Sequence, residues 1–160
     1  MINRLAIIGV GLIGSSLSLA LKQAGKVGEV IGYGRERKNL QKGVELGVLD
    51  VIAGSIAEAA ATADVIVIAV PLGAMESVFS ELAPVINERS VITDVGSAKG
   101  SVVDIARQAL GASFSRFVPG HPIAGAEKSG VEAGLPNLFQ GRRVLLTPLP
   151  ETSQQAISVV

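Results

Sequence analysis

The sequence has no cysteine, no tryptophan, one tyrosine and a single histidine, His121. Without cysteine there are no disulfides, thiolate nucleophiles or cysteine metal sites, and one histidine cannot build a multi-histidine metal centre. Aromatic residues make up only 3% of the chain, too few for a base-stacking nucleic-acid surface. Lys and Arg number 14, as do Asp and Glu, so there is no broad polyanion-binding face and any phosphate recognition must be local. Long apolar runs are missing too. The stretch from Leu5 to Leu21, which follows Arg4, has the outline of a secretory leader. Gly9, Gly11 and Gly14 interrupt it, however, and it ends in Lys22 and Gln23 without a small-residue cleavage site. A membrane span wants about 20 uninterrupted apolar residues. The expectation is a soluble, cytoplasmic protein that engages neither nucleic acid nor membrane.

What is present in excess is glycine, 19 of 160 residues, against a usual share of about 7%. That surplus calls for turns or for close approach of the backbone to a ligand. The hydrophobic share of 48% is enough for one packed core. Apolar runs of strand length are expected at residues 5–8, 29–33, 65–70, 90–95, 117–118 and 143–147. Between them, helical spacing is expected at 12–24 (with Ile13, Leu17, Ala20, Leu21 and Ala24 on one face), 38–46, 55–62, 75–85 and 101–110. The run Val65-Ile66-Val67-Ile68-Ala69-Val70 does not alternate, so it must be covered on both faces, as in parallel sheets with crossover helices. Alternating strands and helices predict an α/β fold with a doubly wound, mostly parallel sheet. Residues 1–150 read as that domain. Residues 151–160 read as the start of a connection to a further helical domain, because Glu151-Thr152-Ser153 has a helix-start composition and the sequence stops just as the helix that follows acquires an apolar face with Ala156, Ile157 and Val160.

Gly9-Val10-Gly11-Leu12-Ile13-Gly14 is a G-x-G-x-x-G turn with an apolar strand before it, an amphipathic helix after it and a second strand beyond. In this context the motif marks a Rossmann-type dinucleotide site. Gly9 allows the tight turn, Gly11 lets a pyrophosphate approach the backbone, and Gly14 lets helix and strand pack closely. The amides at the helix start, around Leu12 and Ile13, would hold the phosphates. Val70 and Pro71 end the central strand where backbone would lie along the cofactor. At the end of the second strand an NAD site usually carries an acid for the adenine ribose. Here Gly34 stands near that position, followed by Arg35-Glu36-Arg37-Lys38. Gly34 makes room, and Arg35 and Arg37, with Lys38, can meet a 2′-phosphate, which favours NADP. Glu36 could serve an NAD ribose, so NAD use stays open.

Ligands of open parallel sheets sit beyond the carboxyl ends of the strands. Three segments fall there: Ala69 to Gly73, Thr93 to Lys99, and Pro119 to Glu127 with Lys128-Ser129-Gly130 behind it. Histidine is the residue type that titrates near neutrality, suited to taking a proton from an alcohol during hydride transfer. His121, between Gly120 and Pro122 in what reads as a rigid loop, is the candidate for that role. Ser97 offers a hydroxyl that can donate and accept among substrate oxygen, His121 and nicotinamide. Lys99 and Lys128 read as solvated and stay outside the catalytic set.

These features together resemble the prephenate/arogenate dehydrogenase family. The carriers are the glycine loop, Asp94-Val95-Gly96-Ser97-Ala98-Lys99, His121-Pro122-Ile123-Ala124-Gly125 with Glu127 and Ser129-Gly130, and Gly141-Arg142-Arg143 leading into Leu145-Leu146-Thr147-Pro148. The resemblance implies oxidative decarboxylation in tyrosine biosynthesis. Hydride leaves the ring carbon bearing the hydroxyl, carbon dioxide departs and the ring becomes aromatic, giving 4-hydroxyphenylpyruvate from prephenate or tyrosine from arogenate. It also implies that His121 hydrogen-bonds the ring hydroxyl, Ser97 orients it, and Glu127 gates the pocket mouth. A helical domain following this one would complete the substrate site and form a homodimer. Two other readings share the glycine loop. One is a different two-domain oxidoreductase, such as a β-hydroxyacid dehydrogenase or pyrroline carboxylate reductase, which lacks the Gly-His-Pro-Ile-Ala-Gly segment. The other is a non-catalytic nucleotide sensor, which has no use for Ser97 and His121.

Overall fold

The computed structural model describes residues 1–125 and 127–160. Six strands form the main sheet: β1 (Ile2–Ile8), β2 (Val27–Tyr33), β3 (Val51–Ile52), β4 (Val65–Ile68), β5 (Val91–Asp94) and β6 (Phe117–Val118). They lie in the order β3-β2-β1-β4-β5-β6, and every neighbouring pair is parallel. The order reverses between β1 and β4, so a crevice opens beyond their carboxyl ends.

Side-chain alternation along the strands builds two cores. Leu5 and Ile7 of β1 join Val65 and Val67 of β4 on one face, under α1 (Leu12–Gln23) and α2 (Arg37–Glu45). Ala6, Ile8, Ile66, Ile68 and Ile92 fill the other face, against α3 (Ile56–Ala60), α4 (Met75–Leu82) and α5 (Lys99–Leu110). Phe79 of α4 meets Phe117 of β6 edge-on with ring centroids 5.4 Å apart. The unalternating strand 65–68 is thus buried on both sides, as its composition requires.

Several expectations are corrected. The strand expected at 143–147 is β8 (Val144–Leu146), and it stands outside the main sheet, pairing antiparallel with β7 (Gly120–Pro122). The two-residue edge strand β3 is too short to leave a periodic signature. The central strand ends at Ile68, not Val70; Ala69 still donates its N–H to Ile8 O, and its carbonyl packs against Gly9. The fully buried face of α1 is Gly14, Ser15, Ser16 and Ser18; of the expected apolar stripe, Leu17 and Leu21 are half-buried and pack against the same core, and Ala24 is exposed. Small residues win there because the helix sits against the sheet with no room to spare. Their hydroxyls are satisfied internally: Ser15 Oγ donates to Gly11 O, Ser18 Oγ donates to Val48 O, and Ser16 Oγ accepts from Leu135 N–H. The chain closes with α6 (Gln154–Val159), capped by Ser153.

Gly9 sits at the crossing of three strand ends. Its N–H donates to Tyr33 O, its φ is +96°, and a Cβ on it would lie 2.5 Å from Ala69 O. Gly9→Ala is therefore expected to destabilise the fold by at least about 2 kcal/mol through left-handed backbone strain plus a clash with main chain. For a domain of this size that lowers Tm by roughly 4–8 °C in a thermal melt.

Candidate active site

The crevice at the sheet's switch point is a cavity of about 540 Å³, a size suited to a cofactor. Gly9, Val10 and Gly11 form one wall; Ala69, Val70 and Pro71 face them. Gly34, Arg35 and Glu36 close the end beyond β2, and Ser129 and Gly130 reach in from the far segment. The first turn of α1 holds no acid and its N-cap, Gly11, makes no side-chain bond, so its amides and positive dipole end stay available to an anion. The three glycines of the loop do different things. Gly9 makes the turn. A Cβ on Gly14 would lie 2.7 Å from Gly9 O, so Gly14 secures the close helix–strand contact. A Cβ on Gly11 would meet nothing within 4 Å, which leaves open space in front of the backbone.

Of the residues singled out from sequence, Gly9, Gly11, Gly34, Arg35, Val70 and Pro71 line this cavity. Leu12 and Ile13 are half-buried in the first turn of α1 and do not line it, and Gly14 lies behind it. Arg37 and Lys38 are exposed at the start of α2, away from the lining. Glu127 is exposed.

Ser97 and His121 stand beyond the ends of the next two strands. Ser97 follows β5 and is exposed; it caps no helix, since α5 begins at Lys99 with Ala98 as an uncapped start. His121 is half-buried and lies in β7 opposite Leu145, not in a loop. The antiparallel pairing with β8 is what makes this segment rigid.

Lys99 corrects a further expectation, because it is not solvated. Its ammonium pairs with the fully buried Asp94 carboxylate, and only 16% of its side chain is exposed. Burial pushes the Lys99 ammonium below the ordinary lysine range, while the hydrogen bond and charge of Asp94 pull it back. Asn39 was also missed. Its Nδ2 donates to Val10 O at 2.7 Å and its Oδ1 accepts from Val131 N–H at 3.0 Å, tying the glycine loop to the segment that carries Ser129 and Gly130. No local pattern announces such a bridge across 92 residues.

The sheet order, the glycine turn and the anion-ready helix start define a nucleotide-binding domain of the Rossmann type. The family model for the prephenate dehydrogenase nucleotide-binding domain matches residues 17–160, and the chain belongs to that family. It is 37% identical over 156 residues to the prephenate dehydrogenase of Bacillus subtilis, covering 97% of this chain and 42% of that protein. Among solved structures, Aquifex aeolicus prephenate dehydrogenase in complex with hydroxyphenyl propionate and NAD+ superposes with a TM-score of 0.90 at 34% identity, covering 99% of this chain and 55% of the other. Synechocystis arogenate dehydrogenase gives a TM-score of 0.87 at 28% identity, with 98% and 54% covered. The chain thus spans about half the length of these relatives. Among the described residues, no helix is long and apolar enough to cross a membrane.

Proposed function

We propose that this chain is the cofactor-binding half of an NAD(P)-dependent dehydrogenase that oxidatively decarboxylates prephenate, arogenate or both. The observation that carries the reading is the crevice itself: an uncapped helix start and an open Gly11 facing Val70 and Pro71, with Ser97 and His121 beyond the adjoining strand ends. The cavity fits a dinucleotide, since the space in front of Gly11 is what a pyrophosphate needs. Gly9, Gly11 and the amides around Leu12 and Ile13 would hold the phosphates, and Gly34 and Arg35 the adenosine ribose. A bound nicotinamide would supply the hydride acceptor. His121 takes the proton of the substrate hydroxyl as hydride leaves the same carbon, and Ser97 bridges that hydroxyl by donating or accepting a hydrogen bond. Glu127, exposed on the segment between His121 and Gly130, gates the substrate side. Substrate-binding groups and the homodimer contact belong to a following helical domain, consistent with relatives about twice this length.

NADP is the favoured cofactor. Gly34 leaves room for a 2′-phosphate and Arg35 lines the same wall. Arg37 adds only to the local positive field. Glu36 also lines the cavity, and it is the group through which NAD would be held; the Aquifex relative is in complex with NAD+. Calorimetric titration with each nucleotide tests the reading. Arg35→Ala is expected to weaken NADP by about 10-fold or more, the loss of one charge-assisted contact, and to leave NAD unchanged. Equal losses for both nucleotides would remove the 2′-phosphate assignment. Binding of neither would remove the cofactor reading.

A further inference from the structure

We propose that the buried Asp94–Lys99 ion pair is the positioning element that aims Ser97 and His121 at each other; this rests on the reading of those two residues as the reacting pair. Asp94 is the last residue of β5 and its side chain is fully buried. One carboxylate oxygen, Oδ2, accepts from Gly96 N–H at 2.8 Å and from the Lys99 ammonium. The other, Oδ1, accepts from Gly120 N–H at 3.2 Å. Lys99 Nζ also donates to Gly120 O at 2.7 Å. Both polar groups of Gly120 are therefore held by one ion pair, directly before His121. The same carboxylate holds the N–H of Gly96, directly before Ser97.

Gly120 packs closely on the end of β5, with no room for a side chain. A Cβ there would lie 2.9 Å from Asp94 O and 3.2 Å from Thr93 Oγ1, so the strand end of β5 is its floor. Stability alone is a poor account of the pair. Desolvating an ammonium and a carboxylate offsets much of their attraction, and well-packed apolar residues often do as well. What apolar residues cannot do is fix two peptide planes at once. Reactive constellations must be held within about 0.5 Å, and a displacement of about 1 Å can cost roughly 100-fold in rate. Asp94 and Lys99 need touch neither substrate nor cofactor to matter; neither lines the nucleotide cavity.

The test uses this chain and its only histidine, whose ring-proton signals in NMR need no assignment against others. Lys99→Met is expected to shift both His121 ring signals, its titration midpoint and the Ser97 amide. Lys99→Arg, which keeps the charge and donors, is expected to return them towards wild type. A Lys99→Met protein that melts lower but leaves the His121 and Ser97 signals in place would overturn the proposal and leave a bridge of structural value only. Should Lys99→Met fail to fold, the wild-type protein with labelled lysine decides. Slow exchange of the Lys99 ammonium protons, with a nitrogen shift that follows the His121 titration, is expected; fast exchange and an indifferent shift would overturn it. Failure of the chain to bind either nucleotide would count against the dehydrogenase reading alone, and the NMR comparison would still decide the positioning.

Discussion

His121→Asn is expected to lower kcat of the proposed dehydrogenase by about 10²–10⁴-fold, the usual contribution of a positioned general base, the role proposed for His121. Affinity for the nucleotide should be unchanged, because His121 lies outside the cavity that the glycine loop walls. Asparagine is close in size and keeps a hydrogen-bonding side chain, so the pairing of β7 with β8 at Leu145 survives. What it loses is the basic ring nitrogen that would take the substrate's proton. The expected signature is therefore a fall in kcat with little change in KM for substrate, the pattern of an interaction made chiefly in the transition state. Steady-state rates with prephenate and with arogenate, each at saturating nucleotide, supply the measurement. Undiminished kcat on both would remove His121 from the chemistry.

How much of this could be read from the sequence depended on distance along the chain. The glycine loop was legible because strand, turn and helix are consecutive, and Gly9 and Gly14 do mechanical jobs that their neighbours impose. The doubly wound, parallel character of the main sheet followed from the alternation of strands with helices, and the strand order did not. The small β7–β8 pair was not legible as a separate sheet: each strand has three residues and their partners lie more than 20 positions apart. Its consequence is large, since it turns the supposed loop at His121 into a held strand. Lys99 misled for the same reason. A lysine after Gly-Ser-Ala reads as solvated, and only the fold brings Gly120 O and the Asp94 carboxylate to its ammonium. The buried serines of α1 were hidden by a rule that holds in general, apolar residues inwards, overridden here by the need for small side chains where helix and sheet nearly touch.

Gly11→Val separates the two roles of the glycine loop. Gly11 has φ −100° and ψ −160°, extended backbone open to any residue. A Cβ there meets nothing within 4 Å, so the free protein should fold with Tm close to wild type. The added isopropyl group would fill the space through which a pyrophosphate reaches the amides at the start of α1. Loss of two charge-assisted hydrogen bonds costs about 3–6 kcal/mol, so nucleotide affinity should fall by more than about 100-fold. The contrast with Gly9→Ala is the decisive part. There the Cβ strikes Ala69 O at 2.5 Å and the fold itself suffers. A paired thermal melt and calorimetric titration on the two variants therefore gives opposite patterns, stable without affinity for Gly11→Val and unstable for Gly9→Ala. If Gly11→Val bound NADP or NAD as well as wild type, the phosphates would not lie against this loop, and the cavity between Gly11 and Pro71 would have to serve another ligand.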